Sequence, residues 1–348
     1  MAPTKQKAVV INADGTVSVK DYDVSKPGPG QILVKVAAAA QNPADWRTVG
    51  WLKKEGCVVG CDFAGTVEEI GPDVPAGLRI VGERVAGFVF GAYYHNGAFA
   101  EYVVAEAAPA VHIPDNWSFE DAAQLGVAPF TAAQLLWEAQ SLPTPLNPAT
   151  TPLPILVSGG ASSVGQYVVQ FAKHAGLHVI ATASPKNFDL VKSLGADEVY
   201  DYNDPELAKK IKASTGGKLK HAVDTIAEKD TPKIVSESLS DEGGAISITL
   251  PYEATRPGVT ATIVVAYNML GKDYDFPFVW TATEEAKATG KKFAGLIGKV
   301  AAMGKLKPNP KHLLSNGLAS VQEGLGLGPT VSGQKITYRI ADTPGLKA

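Results

Sequence analysis

Between residues 155 and 248, short apolar runs alternate with segments of helical character, and this alternation limits most strictly what the chain can fold into. Short apolar strands that alternate with helices are typical of a parallel sheet covered by helices on both faces. The pattern therefore predicts an α/β fold with a doubly wound parallel sheet. The predicted strands are 155–157, 177–181, 198–200, 221–224 and 245–248, separated by helices at 164–174, 187–194, 205–213 and 231–239.

The residues before this alternation have a different pattern of strand-forming and turn residues. Up to about residue 128, β-branched runs such as 31–36 and 65–70 are separated by Gly and Pro, as in a small β-barrel or sandwich. An amphipathic helix is predicted near 283–303, and a final strand at 334–340 resembles the strands of the first part, so these segments are expected to complete the first domain. The expected domains are residues 1–128 together with 283–348, and residues 129–282.

A Gly- and Ser-rich turn joins the first strand of the alternation to its helix. Residues 158–165 are Ser-Gly-Gly-Ala-Ser-Ser-Val-Gly, which matches the fingerprint G-x-G-x-x-G from Gly160 to Gly165 except that Ser162 replaces the second Gly. Small residues let the backbone approach a pyrophosphate, and the helix N-terminus offers free N–H groups. The turn therefore predicts dinucleotide binding; the alternative is a purely structural turn.

The end of the second strand indicates which dinucleotide binds. NAD sites usually carry an Asp or Glu about 20 residues after the Gly-rich turn, where it bonds the ribose 2′-hydroxyl. Here the strand ends in Ala-Ser-Pro-Lys-Asn at 183–187, with no acid. Because Ser184 and Lys186 would attract a 2′-phosphate, we expect NADPH rather than NADH. The alternative is that Ser184 caps the next helix and Lys186 is a solvated side chain.

Composition argues against several other classes of protein. The formal net charge is −3 and no Lys/Arg run occurs, so nucleic acid is not an expected partner. No window reaches about 18 uninterrupted apolar residues and no secretory signal is evident, so no membrane association is expected. Two cysteines in 348 residues are typical of a reducing compartment. We therefore expect a soluble cytoplasmic protein.

Metal catalysis is not expected. The two cysteines are Cys57 and Cys61, so a four-cysteine zinc site is impossible. His174 and His178 are four residues apart, but Gly176 lies between them at a helix end, so the rings need not share a face. We interpret the cysteines as packed thiols rather than as metal ligands or a redox pair.

Six motifs spread along nearly the whole chain carry a family resemblance. They are Gln-Asn-Pro-Ala-Asp-Trp-Arg at 41–47, Gly-Cys-Asp-Phe-Ala-Gly at 60–65, Gly-Ala-Phe-Ala-Glu-Tyr at 97–102, Ala-Ser-Pro-Lys-Asn-Phe-Asp at 183–189, Leu-Gly-Ala-Asp at 194–197 and Val-Ser-Gly-Gln-Lys at 331–335. The chain resembles the zinc-independent members of the medium-chain dehydrogenase/reductase superfamily. It is most similar to the fungal trans-acting enoyl reductases and ToxD-like reductases, and also resembles quinone oxidoreductase-like members.

The resemblance implies a GroES-like catalytic domain formed by both chain ends and an inserted Rossmann domain that binds NADP. Where zinc-dependent relatives carry Gly-His-Glu, this chain has Gly60-Cys61-Asp62, and it has Asn42 in place of a ligand Cys. The residues implied at the nicotinamide end are Asn42 and Asp45, with Thr249, Leu250, Val331 and Ser332 closing over it. Those implied at the pyrophosphate are Gly160, Ala161, Ser162, Ser163 and Val164, and those at the 2′-phosphate are Ser184, Lys186, Asn187 and Tyr202. The implied substrate residues are Gly126, Val127, Phe130, Thr131, Asn268 and Met269.

The expected reaction is the NADPH-dependent reduction of an activated carbon–carbon double bond, in an enoyl thioester or an enone, without zinc. Hydride would pass to the β-carbon of an unsaturated carbonyl, and the developing enolate needs hydrogen-bond donors placed in advance. Tyr93 and Tyr94 are candidate proton donors in a loop, but packing aromatics are the better interpretation. No catalytic residue is therefore assigned.

Two other functions stay open at this point. One is an NADPH:quinone oxidoreductase, and the other is a non-catalytic NADPH-binding scaffold or partner protein. A zinc alcohol dehydrogenase is opposed by the scarcity of ligands. The expected partner is a small-molecule substrate, which a carrier protein could present, and both a monomer and a homodimer are compatible with the sequence.

Overall fold

The computed structural model describes residues 2–276 and 278–346, which form two compact units. The first unit contains the chain up to Val127, the segment Tyr267–Lys299 and the chain from Pro308 onward. The second unit contains Ala128–Ala266 and Val300–Lys307. Within the described ranges, no helix is long and apolar enough to cross a membrane.

The return of the chain to the first unit differs from the expected position. The sequence placed it at residue 283, whereas the structure places it at Tyr267. The ring of Tyr267 stacks on Phe90 with centroids 3.9 Å apart, and the hydroxyl of Tyr93 donates to Asp275 at 2.5 Å. These contacts attach the segment to the β-rich unit. Isolated aromatic contacts of this kind leave no periodic signal in a sequence.

The first unit is β-rich, as the sequence predicted. Its strands, numbered in chain order, are β1 (Lys5–Ile11), β2 (Val17–Asp23), β3 (Gln31–Ala40), β4 (Asp62–Ile70), β5 (Arg84–Phe88), β6 (Tyr102–Glu106), β7 (Val111–His112), β14 (Lys311–Leu314) and β15 (Lys335–Arg339). The large sheet has the order β14-β15-β3-β4-β5-β7, with β6 paired to β3, and β1 pairs with β2 separately. Val34, Phe63, Phe99 and Tyr338 are fully buried in its core. The C-terminal strand β15 lies beside β3, which joins the two chain ends in one sheet.

The second unit contains a wholly parallel sheet. Its strands are β8 (Pro154–Ser158), β9 (His178–Ala183), β10 (Glu198–Asp201), β11 (His221–Asp224), β12 (Gly244–Ile248) and β13 (Val259–Ile263). They lie in the order β10-β9-β8-β11-β12-β13, which is the doubly wound order with its switch point between β8 and β11. Leu156 pairs in register with Ile180 and with Ala222, and all three are fully buried. Because the paired positions are buried and apolar, the strands form apolar runs that could be predicted from the sequence.

Helices complete both units, and one of them positions a predicted site residue. They are α1 (Pro43–Leu52), α2 (Phe119–Ala122), α3 (Val127–Ala133), α4 (Ser163–His174), α5 (Phe188–Ser193), α6 (Leu207–Ser214), α7 (Thr231–Ser238), α8 (Glu284–Ala302) and α9 (Val321–Leu327). Helix α1 begins after Asn42 with Pro43 at its first position, where proline's missing N–H costs nothing. The backbone N–H of Asn42 donates to the carboxylate of Asp45 at 2.6 Å, which fixes this first turn.

Candidate functional sites in the two units

The Gly- and Ser-rich turn of the second unit is held rigidly against strand β9. Gly159 follows β8 with a φ of +76°, a left-handed conformation that favours glycine. The N–H of Gly160 donates to the carbonyl of Thr182 at 2.8 Å, and the N–H of Gly159 donates to the Thr182 hydroxyl at 3.1 Å. The turn therefore delivers the chain into α4 at the carboxyl edge of the sheet, beside the switch point where ligands of such sheets bind.

Ser162 has a structural reason to replace the second glycine of the fingerprint. Its hydroxyl accepts the N–H of Gly165 at 2.9 Å, so Ser162 is the N-cap of α4, and it also contacts the Thr225 hydroxyl at 2.8 Å. A Cβ on Gly165 would lie 2.2 Å from the Gly159 carbonyl oxygen, so only glycine fits there. The N-terminus of this 12-residue helix carries the positive end of the helix dipole, which favours an anion. The turn fits a pyrophosphate.

The four residues predicted to surround a 2′-phosphate lie at the carboxyl ends of β9 and β10. These two strands are parallel neighbours, so their ends meet at one edge of the sheet. The side-chain amide of Asn187 donates to the Ser184 hydroxyl at 3.1 Å, and Tyr202 is 49% exposed. Lys186 is exposed and has no ion-pair partner within the described ranges. This edge therefore offers an exposed ammonium group to an anionic ligand.

An acid that the sequence analysis did not weigh lies at the same edge. Asp201 is the last residue of β10, and its carboxylate accepts the backbone N–H and the side-chain amide of Asn203 at 2.9 and 3.0 Å. One of its two carboxylate oxygens is thus used within its own turn. Asp201 ends β10, whereas the acid that bonds a ribose 2′-hydroxyl usually ends the second strand, which here is β9.

The other predicted residues of the second unit have different surroundings. Thr249 and Leu250 directly follow β12 at the carboxyl edge and are partly buried, with Leu250 packed on the core. Phe130 is fully buried in α3 and Thr131 is 7% exposed. Phe130 therefore packs in the interior of this structure.

Five polar side chains of the first unit form a cluster, the buried ionic cluster, in which each member is at most 3% exposed. The ammonium of Lys335 donates to Oδ1 of Asn42 at 2.6 Å and lies 3.4 Å from Oδ2 of Asp62. The cluster joins the start of α1, the start of β4 and the start of β15. Its members are Asn42, Asp45, Cys61, Asp62 and Lys335.

Burial controls the protonation of this cluster. Loss of water raises the pKa of Asp45 to about 7. Burial also raises the pKa of Asp62, while the nearby Lys335 ammonium opposes that rise. The pKa of the Cys61 thiol lies well above its ordinary range, mainly because the thiol is buried and secondly because the Asp45 charge opposes a thiolate. Cys61 is therefore a neutral thiol, and it shares a hydrogen bond of 3.1 Å with the Tyr267 hydroxyl.

Two of the predicted substrate residues, Gly126 and Val127, adjoin this cluster through Asp62. The N–H of Val127 donates to Oδ1 of Asp62 at 2.7 Å. A Cβ on Gly126 would lie 2.2 Å from the same oxygen and 2.7 Å from the carbonyl oxygen of Gly87. The absence of a side chain at Gly126 thus lets the backbone approach the carboxylate.

The hydroxyls of Tyr93 and Tyr94, the two candidate proton donors in what we call the aromatic loop (residues 91–97), already form hydrogen bonds. Tyr93 donates to the Asp275 carboxylate at 2.5 Å and accepts the Asp275 N–H at 3.1 Å, while Tyr94 donates to the carbonyl of Asp273. Burial raises the pKa of Tyr94 to about 12. Both residues hold the 273–275 segment in place, and this favours the packing interpretation.

Of the remaining predicted residues of the first unit, Asn268 and Met269 lie in a 3-10 helix, and Val331 and Ser332 lie in a loop. Asn268 is partly buried and accepts a hydrogen bond from the Tyr274 hydroxyl, and Met269 is 2% exposed. Val331 packs on the core of the β-rich unit, while Ser332 is exposed. Met269 therefore serves packing in this structure.

The donor set does not fit a metal ion. In the part of the chain that the structure describes, no group of three or more His, Cys, Asp or Glu side chains is placed to hold one. Cys57 and Cys61 are both buried, free thiols. At the positions where the resemblance puts zinc ligands in metal-dependent relatives, Asn42 and Asp62 contact the cationic side chain of Lys335.

Each of the two units is matched by a model of a known protein family. The family model described as the alcohol dehydrogenase GroES-like domain matches residues 28–115, and the one described as zinc-binding dehydrogenase matches residues 163–273. A protein named trans-enoyl reductase ACTTS2, from Alternaria alternata, is 37% identical over 353 residues, covering 96% of this chain and 99% of its own length. Trans-enoyl reductase TOXD from Cochliobolus carbonum is 38% identical over 275 residues, covering 78% of this chain and 92% of its own.

Solved structures share the fold. The crystal structure of CurK enoyl reductase superposes with a TM-score of 0.75 at 18% identity, covering 95% of this chain and 98% of that one. The quinone oxidoreductase from Coxiella burnetii gives a TM-score of 0.72 at 22% identity, covering 96% and 99%. The resemblance seen in the six sequence motifs is thereby confirmed. This chain belongs to the medium-chain dehydrogenase/reductase superfamily and, within it, to the family of the fungal trans-enoyl reductases.

Proposed function

We propose that this protein is an NADPH-dependent reductase of activated carbon–carbon double bonds, in enoyl thioesters or enones, that works without zinc. The observation that carries the proposal is the match, over almost the whole chain, to relatives named trans-enoyl reductases. Both units take part in that match, so it covers the phosphate turn as well as the β-rich unit.

The choice of NADPH rests on the carboxyl edge of the second unit. Enzymes of this superfamily use a nicotinamide cofactor. The N-terminus of α4 suits the pyrophosphate, and the exposed Lys186, at the sheet edge that also carries Ser184 and Tyr202, suits a 2′-phosphate. An acid at the end of β9 would oppose that phosphate, and none is present there.

The chemistry divides between cofactor and protein. NADPH supplies the hydride when bound, and conjugation with a carbonyl makes the β-carbon of the substrate able to accept it. The protein's part is to orient the reactants and to place donors where negative charge develops on the carbonyl oxygen. Asn42 and Asp45, two members of the buried ionic cluster, belong to one turn. The Lys335 ammonium and the bond from the Asn42 N–H to the Asp45 carboxylate hold this turn rigid, and rigid groups are needed to orient the reactants.

The test is an NADPH-consumption assay on a matched panel of substrates. The panel pairs enoyl thioesters with their saturated counterparts, free thioesters with carrier-protein-bound ones, and simple enones with 1,4-quinones and aldehydes. We expect turnover of enoyl thioesters or enones with NADPH, little with NADH, and the same rate after treatment with a chelator. Activity that disappears with the chelator and returns with zinc would contradict the zinc-independent part of the proposal.

A quinone reductase is the second candidate, because neither of the two tyrosines considered as proton donors has a hydroxyl free to serve a substrate. The hydroxyls of Tyr93 and Tyr94 are already bonded. Reduction of a double bond ends with protonation of carbon, which benefits from a positioned acid, whereas the oxygens of a reduced quinone exchange protons freely with water. Turnover of quinones alone would establish this second candidate. NADPH binding without turnover of any substrate in the panel would favour a non-catalytic role.

A further inference from the structure

Lys335 is a buried cation whose position calls for an explanation. Its side chain is 2% exposed at the start of β15, although an ammonium taken out of water is costly unless charged and polar partners surround it. The partners are Oδ1 of Asn42 at 2.6 Å and Oδ2 of Asp62 at 3.4 Å. The ammonium thus bridges two segments that lie 20 residues apart in sequence.

Each partner controls a segment near the predicted site. Asn42 precedes α1, and its backbone N–H donates to Asp45 at 2.6 Å, while the N–H of Asp45 donates back to the Asn42 carbonyl at 3.0 Å. Asp62 accepts the N–H of Val127 at 2.7 Å. Through these bonds a single charge sets the geometry of the α1 turn, the start of β4 and the Gly126–Val127 turn.

We propose that Lys335 is a positioning residue, whose ammonium orders the Asn42–Asp45 turn in the way that a bound cation would. The inference rests on the proposed function, in which Asn42 and Asp45 line the nicotinamide end of the cofactor. In metal-dependent relatives the corresponding positions carry ligands, so a cation holds them together there. Here the cation is a side chain of the protein itself, anchored in the β-sheet.

The alternative is that the ion pair serves folding only, and a pair of variants separates the two roles. Lys335→Met alone leaves the Asp62 carboxylate buried without its cation, so a large loss of stability is expected. In the double variant Lys335→Met/Asp62→Asn both charges are gone, and replacement of a buried pair is often neutral for stability. The Asn side chain still offers an oxygen to the N–H of Val127.

If Lys335 positions the turn, the double variant regains most of its stability but not its activity. We expect kcat at least about 30-fold below wild type, an NADPH Kd changed less than about threefold because the phosphate turn is untouched, and faster amide hydrogen exchange at residues 42–46. The matched control is Lys311→Met. Lys311 is the register partner of Lys335 on β14, but it is exposed and pairs with Asp121. The control should keep wild-type kcat and exchange.

Recovery of both stability and kcat in the double variant would overturn the proposal, and so would failure of both variants to fold, since the role would then be structural. Unchanged exchange at residues 42–46 in the folded double variant would overturn it as well. That readout does not depend on turnover. A wild-type protein that reduces no substrate of the panel would refute the proposed function, while the exchange measurement would still decide whether Lys335 orders the turn.

Discussion

Replacing Gly165 by alanine tests the phosphate turn at its tightest point. Gly165 is the third residue of α4, and a Cβ there would lie 2.2 Å from the Gly159 carbonyl oxygen and 2.9 Å from the Ser162 hydroxyl oxygen. The new methyl group must push the turn away from the helix. It must also disturb the bond of 2.9 Å from the Gly165 N–H to the Ser162 hydroxyl.

The size of the effect follows from these contacts. Forcing a methyl group into a packed site costs about 1–3 kcal/mol, and losing an N-cap costs about 1 kcal/mol. Alanine's better helix propensity returns about 0.5–1 kcal/mol. We therefore expect Gly165→Ala to lower the free energy of unfolding by about 1–3 kcal/mol. The displaced N–H groups should weaken NADPH binding about tenfold or more, which corresponds to at least about 1.4 kcal/mol.

Gly295→Ala is the matched control, since it makes the same change inside another helix. Gly295 is exposed in α8, and a Cβ there would meet nothing within 4 Å. This variant should be more stable than wild type by about 0.5–1 kcal/mol, with unchanged NADPH affinity. Urea denaturation followed by circular dichroism, together with NADPH titration, measures both quantities. Equal effects of the two substitutions, or wild-type NADPH affinity in Gly165→Ala, would refute this account of the turn.

Three further predictions concern the cofactor edge, the aromatic loop and the buried ionic cluster. Lys186→Ala should raise the KM for NADPH about tenfold, the lower end expected for a charge-assisted bond at an exposed site, and leave the KM for NADH unchanged. The control variant Lys192→Ala, at an exposed position of α5, should change neither KM. Equal losses for both cofactors in Lys186→Ala would contradict a 2′-phosphate contact. Tyr93→Phe removes the hydroxyl bonded to Asp275 and should cost about 1 kcal/mol of stability without lowering kcat more than twofold, so a collapse of kcat would show that Tyr93 is the proton donor after all. Because burial raises the pKa of Asp45 from 3.8 to about 7, the folded state holds more protons than the unfolded state between these values, and wild type should lose stability relative to Asp45→Asn as the pH rises from 4 to 7. Parallel stability curves for the two proteins over that range would show that Asp45 is not buried as a neutral acid.

The parts of this fold that follow a period could be predicted from the sequence. The strands β8, β9, β11 and β12 are buried on both faces, so they form mainly apolar runs that a pattern can detect. Strand β13 was missed because it lies at the sheet edge, where four of its five residues are partly or fully exposed. The phosphate turn could be predicted because its glycines and its place between strand and helix are local features.

The buried ionic cluster could not be found in the same way. Lys335, Thr337 and Arg339 are alternate residues of the last strand, and this polar set would ordinarily mark a solvent face. In the structure Lys335 and Thr337 are buried instead. The reason lies in long-range partners: Asn42 is 293 residues from Lys335 in sequence, and no local pattern announces such a pairing. The contacts of Tyr267 with Phe90 and Cys61 were invisible for the same reason.

The most direct test of the central claim is the fate of a deuterium label. Wild-type protein would be incubated with an α,β-unsaturated thioester and NADPH deuterated at C4 of the nicotinamide, on either face in separate reactions, and the product analysed by mass spectrometry and NMR. We predict one deuterium at the β-carbon of the saturated thioester, from one of the two labelled cofactors only, with the α-hydrogen coming from water. Deuterium on the carbonyl carbon, in an aldehyde or alcohol product, would contradict double-bond reduction, and so would oxidation of the labelled NADPH by a 1,4-quinone but never by the thioester.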